Sequence, residues 1–446
     1  MKRFYQTLLA LALPVALHAQ EPQALSQQDA IDFALQNNYS VRNARLDFAT
    51  QLAKNSEITG LALPQVSAKN EFTYYAKPIV SFLPAQILDR NAPEGQFVPV
   101  TFSPTYQNTL SASGSQILFD GTVFVALQAR NTLVELAKLG IKASEEDVRI
   151  NVTRAYQALV VGHRQFRILG NSIASARAIS RDLEAMRKAG FVEKIDVDRS
   201  QVQINNLMAD SLRISNALLL GEQLLKFNMG MNVNTPVLLT DTSLDAVLPA
   251  ATALLTENVD YNQRTLYKQL ETGLKLNEFD LKRYKYQGLP SLAAFGSAAY
   301  TYGNNSFSEI TKPKNYVFYA LTGVQLNVPI FSGRRRYFQV RQAELAVQKS
   351  RNMLDNMRQI IDLDYAQGKA TLRNSILTLE NQSRNLELAN SVLDLAQRKY
   401  KEGVGSNVEV TQAQTAVQQA QNSYFTSLLD VINSNINLRR ALGQFK

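Results

Sequence analysis

A chain of 446 residues with no cysteine, no tryptophan, two histidines and a formal charge of +9 leaves several functions without the residues they need. It can form no disulfide, no thiolate metal site, no cysteine nucleophile and no lipidated N-terminal cysteine. Its 47 Lys and Arg alternate with 38 Asp and Glu along helix-forming stretches, with no basic stripe interleaved with aromatics, which speaks against nucleic acid as a partner.

Lys2 and Arg3 precede an apolar stretch from Leu8 to Leu17, and Ala19 closes it before Gln20 and Glu21. This is the layout of a secretory signal over residues 1–19, too short to span a bilayer. No later segment supplies the ~20 consecutive apolar residues of a membrane helix, so entry into a membrane must be made by strands. Residues 20–235 predict a helix of roughly 36 residues, then a strand pair over about 64–120 that starts at Leu63-Pro64. Gly121 bends the chain from strand to helix, and no proline follows between Pro104 and Pro236. That proline-free run predicts a helix of roughly 70 residues, a break near Gly190, and a helix of roughly 36. Its apolar residues Val197, Ile204, Leu207, Ile214, Leu218 and Leu225 fall near a coiled-coil period. At 1.5 Å per residue the long helix would reach about 100 Å, beyond the diameter of an ordinary domain.

Residues 236–250 read as a linker, and residues 251–446 repeat the series, with a strand pair over about 289–332 and a tip near Gly403. Ile117-Leu118-Phe119-Asp120-Gly121 returns as Pro329-Ile330-Phe331-Ser332-Gly333, and Leu63-Pro64 returns as Leu289-Pro290. Gly190 before Asp196 returns as Gly403 before Glu409. Offsets of roughly 210 to 225 residues make each repeat half of the mature chain. Arg334-Arg335-Arg336 opens the second long helix against its dipole, which leaves two uses open: contact with lipid phosphates at the inner leaflet, or extension into solvent.

The strand-like stretches alternate. Gln107, Thr109, Ser111, Ser113 and Ser115 share one face, while Tyr106, Leu110, Ala112 and Leu118 share the other. Phe318, Ala320, Thr322, Val324, Leu326 and Val328 make another apolar row, and Tyr74, Tyr300 and Tyr302 lie towards the ends. Such rows suit a barrel wall between lipid and water, or an amphipathic sheet on a soluble core. Four strands cannot close a barrel, and an open edge is not tolerated in hydrocarbon. A membrane wall therefore requires chains to pool strands, and a lumen requires at least three chains.

With these motifs in order, the chain resembles the TolC-like outer-membrane efflux proteins over essentially its whole mature length. The motifs are Leu25 to Asn38, the starts at Pro64 and Pro290, Leu118-Phe119-Asp120-Gly121, Pro329 to Gly333, and Tyr400 to Val410. The resemblance implies a mixed α and β membrane protein: an antiparallel α-helical coiled-coil barrel joined to a transmembrane β-barrel, with four strands per chain and twelve in a homotrimer. It implies a passive exit duct in the outer membrane, in contact with its lipid, with the helices in the periplasm. The implied partners are a periplasmic adaptor (membrane fusion) protein and an inner-membrane RND or ABC-type pump, in efflux or type I secretion.

In that family acidic residues on the inner helices ring a constriction at the free end of the tunnel. Aligning along Tyr400 to Val410 places Glu409 at the first acidic position, and Gln412 replaces the second. Asp196 is the equivalent in the first repeat and reads as a helix-terminus charge. Gly190-Phe191 and Gly403-Val404-Gly405 make the helical turns, and the resemblance makes these tips the adaptor-docking sites. No carboxylate–histidine spacing, phosphate loop or nucleophile motif is present, so neither catalysis, metal nor cofactor is expected. The competing readings are a periplasmic coiled-coil adaptor without a barrel, which needs one hairpin and a soluble β-domain, and an exported enzyme.

Overall fold

A computed structural model describes residues 23–244, 247–312 and 315–445, so the segment 1–19 read as a signal lies outside the described residues. Strand β1 (Gln23–Leu25) leads into α1 (Gln27–Asn37), whose start is fixed by a reciprocal cap. The Ser26 hydroxyl accepts the Asp29 N–H and the Asp29 carboxylate accepts the Ser26 N–H, each at 3.1 Å, which satisfies two donors that a helix start leaves free. The Ser26 hydroxyl also donates to that carboxylate at 2.6 Å, and this bond, followed by the one from the Ser26 N–H, holds the Asp29 carboxyl below its ordinary value.

The helix read as one piece of roughly 36 residues is two. Asn38 turns extended (ψ 133°) between α1 and α2 (Tyr39–Gly60), its side chain accepting Ser40 N–H at 2.8 Å and donating to Asn228 O at 2.7 Å. No proline or glycine marks that break, because an asparagine side chain replaces the lost helical bonds. Next come β2 (Gln65–Tyr74), β3 (Val80–Pro84), β4 (Phe97–Thr101) and β5 (Tyr106–Phe119). The expected strand pair is thus β2 and β5, and the excursion between them carries a hairpin of its own, β3 with β4.

The proline-free run folds as α3 (Gly121–Lys188, 68 residues) and α4 (Lys194–Met229, 36 residues). The segment 236–250 is more than a linker: β6 (Val237–Leu239) pairs in parallel with β1, and α5 (Val247–Leu254) begins before residue 251. The helix ahead of the second strand pair is α6 (Thr265–Tyr286), 22 residues and not 36. β7 (Ser291–Asn304), the single turn α7 (Phe307–Ile310) and β8 (Val317–Asn327) follow. β7 runs to Asn304, and Pro313 and Lys314 of the loop before β8 lie outside the described residues. The chain closes with α8 (Arg335–Lys401, 67 residues) and α9 (Asn407–Leu442, 36 residues). α8 begins at Arg335, so Arg334 stands outside the helix it was expected to open. Among the described residues no helix is long and apolar enough to cross a membrane.

Two compact units emerge. Among the described residues, one holds those up to Leu46, those within Leu139–Lys268 and those from Asn356 on. Its core gathers Leu25, Val152, Tyr156, Leu225, Phe425 and Leu438, all at most 2 % exposed, so the ends of the chain and the short strands share one apolar interior. The other unit holds Asp47–Lys138 and Gln269–Asp355, and its centre is a four-stranded antiparallel sheet in the order β2-β5-β7-β8.

Candidate functional site: sheet faces, bends and helical tips

The pairing register decides which side chains share a face. Lys69↔Ser111, Ser111↔Ala299 and Ala299↔Tyr319 place one set together, and Asn70↔Leu110, Leu110↔Tyr300 and Tyr300↔Phe318 the other. Followed along the strands, the first face carries Ser67, Lys69, Glu71, Thr109, Ser113, Ser297 and Gln325. The second carries Val66, Ala68, Phe72, Leu110, Ala298, Val324 and Leu326. Both charged residues of the paired strands, Lys69 and Glu71, are on the first face and form an ion pair there. Ser67 meets Ser113 (3.1 Å between hydroxyls) and Thr109 meets Thr301 (2.9 Å), a polar ladder across three strands. The period-2 alternation of the sequence thus collects the charges and most hydroxyls on one face, which also carries Phe295, Tyr319 and Leu321, and leaves the other mainly apolar, with Asn70 and Asn108 on it.

At the end of the sheet away from the long helices the apolar face turns aromatic. Tyr74 and Tyr106 stack at 5.1 Å, Phe307 of α7 meets Tyr106 edge-on at 5.7 Å, and Tyr300 lies 5.0 Å from Phe318. Amphipathic rings at the margin of an apolar band are the mark of a membrane–water interface. Both β2 and β8 are edges, each with an unpaired row of backbone donors and acceptors.

At the opposite end the chain bends between strand and helix. β2 and β7 begin directly after Pro64 and Pro290, and a matching turn precedes each: Leu63 N–H donates to Gly60 O and Leu289 N–H to Tyr286 O, both at 3.0 Å. The two bend glycines serve different needs. Gly121 has an ordinary backbone but lies so close to the α6–β7 turn that an added Cβ would fall 3.0 Å from Tyr286 O. Gly333 has φ +59°, and Arg334 beside it has φ +64°, a conformation that a side chain adopts at a cost. β5 also carries a bulge: Ile117 pairs with Ala293 and Phe119 with Leu292, so one extra residue shifts the facing before the helix begins.

The α3–α4 and α8–α9 turns are packed on each other. Gly190 (φ +81°) and Gly403 (φ +75°) take left-handed conformations, where each turn's N–H groups return to the preceding helix: Phe191 to Met186 O at 2.9 Å, and Val404 to Lys399 O at 3.0 Å. Gly405 has a different reason, because an added Cβ would meet Lys399 Cβ at 2.9 Å. Phe191 and Val404 are 82 % and 79 % exposed, apolar side chains held outward at the tips. Buried Asn407 donates from Nδ2 to Asp196 O and Oδ1, both at 3.2 Å, and the Tyr400 hydroxyl contacts Met186 Sδ at 3.6 Å. Burial, and secondarily the Asp196 charge, keeps the Tyr400 phenol above its ordinary value.

The three residues read as one aperture set are not equivalent. Asp196 faces the neighbouring turn and lies 3.7 Å from Arg199, so its charge is already engaged. Glu409 and Gln412 are both exposed on α9, where Ser406 Oγ caps the Glu409 N–H at 3.2 Å. Among the described residues Glu409 pairs with no cation.

Several positioning residues were absent from the sequence reading. Gly230 and Gly443 end α4 and α9 at φ +70° and +71°, and each abuts the end of an earlier helical segment of its own half. An added Cβ would lie 2.5 Å from Asn37 O at the first and 2.7 Å from Gln263 O at the second. The signal was present, a lone glycine closing each proline-free helical run. Buried Tyr156 donates to Leu25 O at 2.9 Å and accepts Asp241 N–H at 3.1 Å, a contact between distant segments with no local signature.

Residues 287–444 match the family of outer membrane efflux proteins. The outer membrane protein TolC of Vibrio cholerae is 23 % identical over 350 residues, 76 % of this chain and 78 % of that one. Among solved structures, the outer membrane protein VceC of Vibrio cholerae superposes with a TM-score of 0.71 at 15 % identity, over 94 % of this chain and 96 % of its own. The CmeC channel of Campylobacter jejuni gives a TM-score of 0.71 at 15 % identity, over 94 % and 85 %. The open MtrE channel of Neisseria gonorrhoeae gives 0.69 at 16 % identity, over 94 % and 88 %.

Proposed function

We propose that the chain, whose residues 287–444 match the outer membrane efflux proteins and which is similar to TolC of Vibrio cholerae over 350 residues, is a TolC-like homotrimeric exit duct that conducts substrate passively from the periplasm to the cell exterior. The observation that carries this reading is the sheet with one apolar face, one polar face and two open edges. The outer rows of β2 and β8 leave on the order of 20 backbone groups unpaired, and in hydrocarbon each costs several kcal/mol. Pairing β8 of one copy with β2 of the next removes all of them. Three copies give twelve strands around a lumen lined by the Ser67, Thr109 and Gln325 face, with the Val66, Leu110 and Val324 face towards lipid.

In this reading the working partners are a periplasmic adaptor and an inner-membrane pump of the RND or ABC type. Adaptor docking falls to Gly190, Phe191, Gly403, Val404 and Gly405, because exposed apolar side chains on rigid, glycine-set turns offer a small hydrophobic anchor. The constriction falls to Glu409, whose free carboxylates from three copies attract cations, with Gln412 diluting the ring and Asp196 fastening the turns. The test is purification in surfactant followed by mass determination and planar-bilayer recording. A trimer with stable conductance is expected, and block by trivalent cations should weaken in Glu409→Ala. A water-soluble monomer without surfactant refutes the duct. A periplasmic adaptor without a barrel is disfavoured by the two helical hairpins and the four-stranded sheet within one chain.

A further inference from the structure

The apolar face of the sheet does not stop at the last paired residue. Its row along β8, Val324 and Leu326, continues through Val328 (50 % exposed) to Ile330 (94 %), with Phe331 (85 %) next to it. A cleft lined by Lys285, Arg334, Arg335 and Arg336 opens at this point, with Tyr337 on its wall. Among the described residues none of the four cations is ion-paired. The one carboxylate lining the cleft, Asp120, accepts the Thr122 N–H at 2.7 Å, the Thr122 hydroxyl at 2.6 Å and the Val123 N–H at 3.3 Å.

Two features show that this cationic group is built. Arg334 holds a left-handed backbone that only glycine adopts freely, and Arg336 reaches over Gly288, where an added Cβ would fall 1.7 Å from its Nη1. The three arginines also gather at the N-terminus of α8, where the helix dipole disfavours each by about 0.3–1 kcal/mol, a cost that a bound anion would offset.

We propose that this cleft binds the headgroup of an anionic phospholipid of the inner leaflet. The lipid phosphate sits among Arg334, Arg335, Arg336 and Lys285, and its acyl chains lie along Leu326, Val328 and Ile330. The occupant follows from charge and from continuity: four cations against one spent carboxylate, directly below an apolar row of the membrane-facing wall. Guanidinium groups suit phosphate oxygens through paired hydrogen bonds, and basic side chains at a membrane surface favour anionic over zwitterionic lipid. The inference rests on the duct reading for its orientation, but its test does not need the protein to conduct.

The full-length trimer is equilibrated in mixed micelles holding equal phosphatidylglycerol and phosphatidylcholine, and retained lipid is counted by native mass spectrometry. The wild type is expected to enrich phosphatidylglycerol about fivefold or more, since each basic side chain near an anionic headgroup contributes about that factor. The triple variant Arg334→Gln, Arg335→Gln, Arg336→Gln should lower the ratio at least severalfold, leaving only the share of Lys285, while bilayer conductance persists. High salt should do the same to the wild type with no substitution, which covers a variant that folds poorly. Inorganic phosphate at matched concentration should leave the retained lipid in place, because it cannot cover the apolar row. Equal retention of the two lipids by the wild type, unchanged enrichment in the triple variant, or displacement by inorganic phosphate overturns the proposal. Loss of conductance in the wild type, with enrichment intact, overturns the duct and leaves the lipid site standing.

Discussion

Replacing Tyr156 by phenylalanine removes one oxygen and keeps the buried ring, so no cavity forms and the effect is that of two hydrogen bonds. The two partners fare differently. Leu25 O still accepts the Thr240 N–H at 3.0 Å, whereas the Asp241 N–H loses the hydroxyl at 3.1 Å to which it donates. A lost bond of about 1 kcal/mol and a stranded donor of about 1–3 kcal/mol sum to roughly 2–4 kcal/mol. Burial holds the Tyr156 phenol above its ordinary value, so it remains a protonated donor well into alkaline pH. The loss is local, at the joint of β1, β6 and α3. Hydrogen exchange followed by mass spectrometry on the surfactant-held protein reads it directly, because 2 kcal/mol speeds exchange about 30-fold. The peptide spanning β6 and Asp241 should accelerate by that factor while the β5 peptide does not change. Exchange within about threefold of wild type at β6 would refute the reasoning, since the hydroxyl would then contribute nothing net.

Four further outcomes are expected. Gly230→Ala and Gly443→Ala each meet a left-handed backbone and a carbonyl within 2.7 Å, and should lower the thermal midpoint by more than the ~1 kcal/mol of the backbone term alone, as calorimetry would show. Lys226, 5 % exposed, donates to Val233 O at 3.1 Å and pairs with Glu222 at 2.7 Å; Lys226→Ala should cost about 1–3 kcal/mol in denaturant unfolding. Asn407→Ala unfastens the two turns and should raise single-channel conductance and speed tryptic cleavage at Lys399 and Lys401; unchanged values at both would detach Asn407 from gating. Burial raises the Glu146 carboxyl above its usual 4.5, against the Thr265 hydroxyl, Lys142 and Arg264, which lower it, and with Asp147 reinforcing it. The folded state therefore binds that proton more tightly, giving stability that is full below the ordinary value and lost as pH rises through the folded one. Glu146→Gln should flatten this slope, measured as thermal midpoint against pH.

Much of this architecture was legible because its signals are local. Proline is incompatible with helix interiors, so its absence from Pro104 to Pro236 and after Pro329 outlined the four longest helices. Leu63-Pro64 and Leu289-Pro290 marked strand starts because the residue before proline is forced extended. The apolar strand rows were legible because a strand's period of two needs no knowledge of its partner. What escaped reading depends on contacts distant in sequence or on pieces too short for a period. β1 and β6 have three residues each, and only their mutual pairing makes them strands. The hairpin of β3 and β4 hid behind prolines, with Pro99 opposite Phe82. The fastening of Asp196 by Asn407 joins residues 211 apart, so sequence could offer Asp196 only as a helix-terminus charge.

The order of strands in the sheet constrains how the chain can be assembled. β7 and β8 adjoin in sequence and β2 and β5 nearly so, but the seam between the two pairs joins Tyr106 to Asn304. Closing that seam must wait until α3, α4 and α6 have been delivered, so each half emerges first as an amphipathic ribbon with its apolar side unshielded. Such a ribbon is slow to find its distant mate and prone to join the wrong one. A chain built this way depends on escort until the seam is zipped, and its halves, synthesised separately, should find each other along β5 and β7.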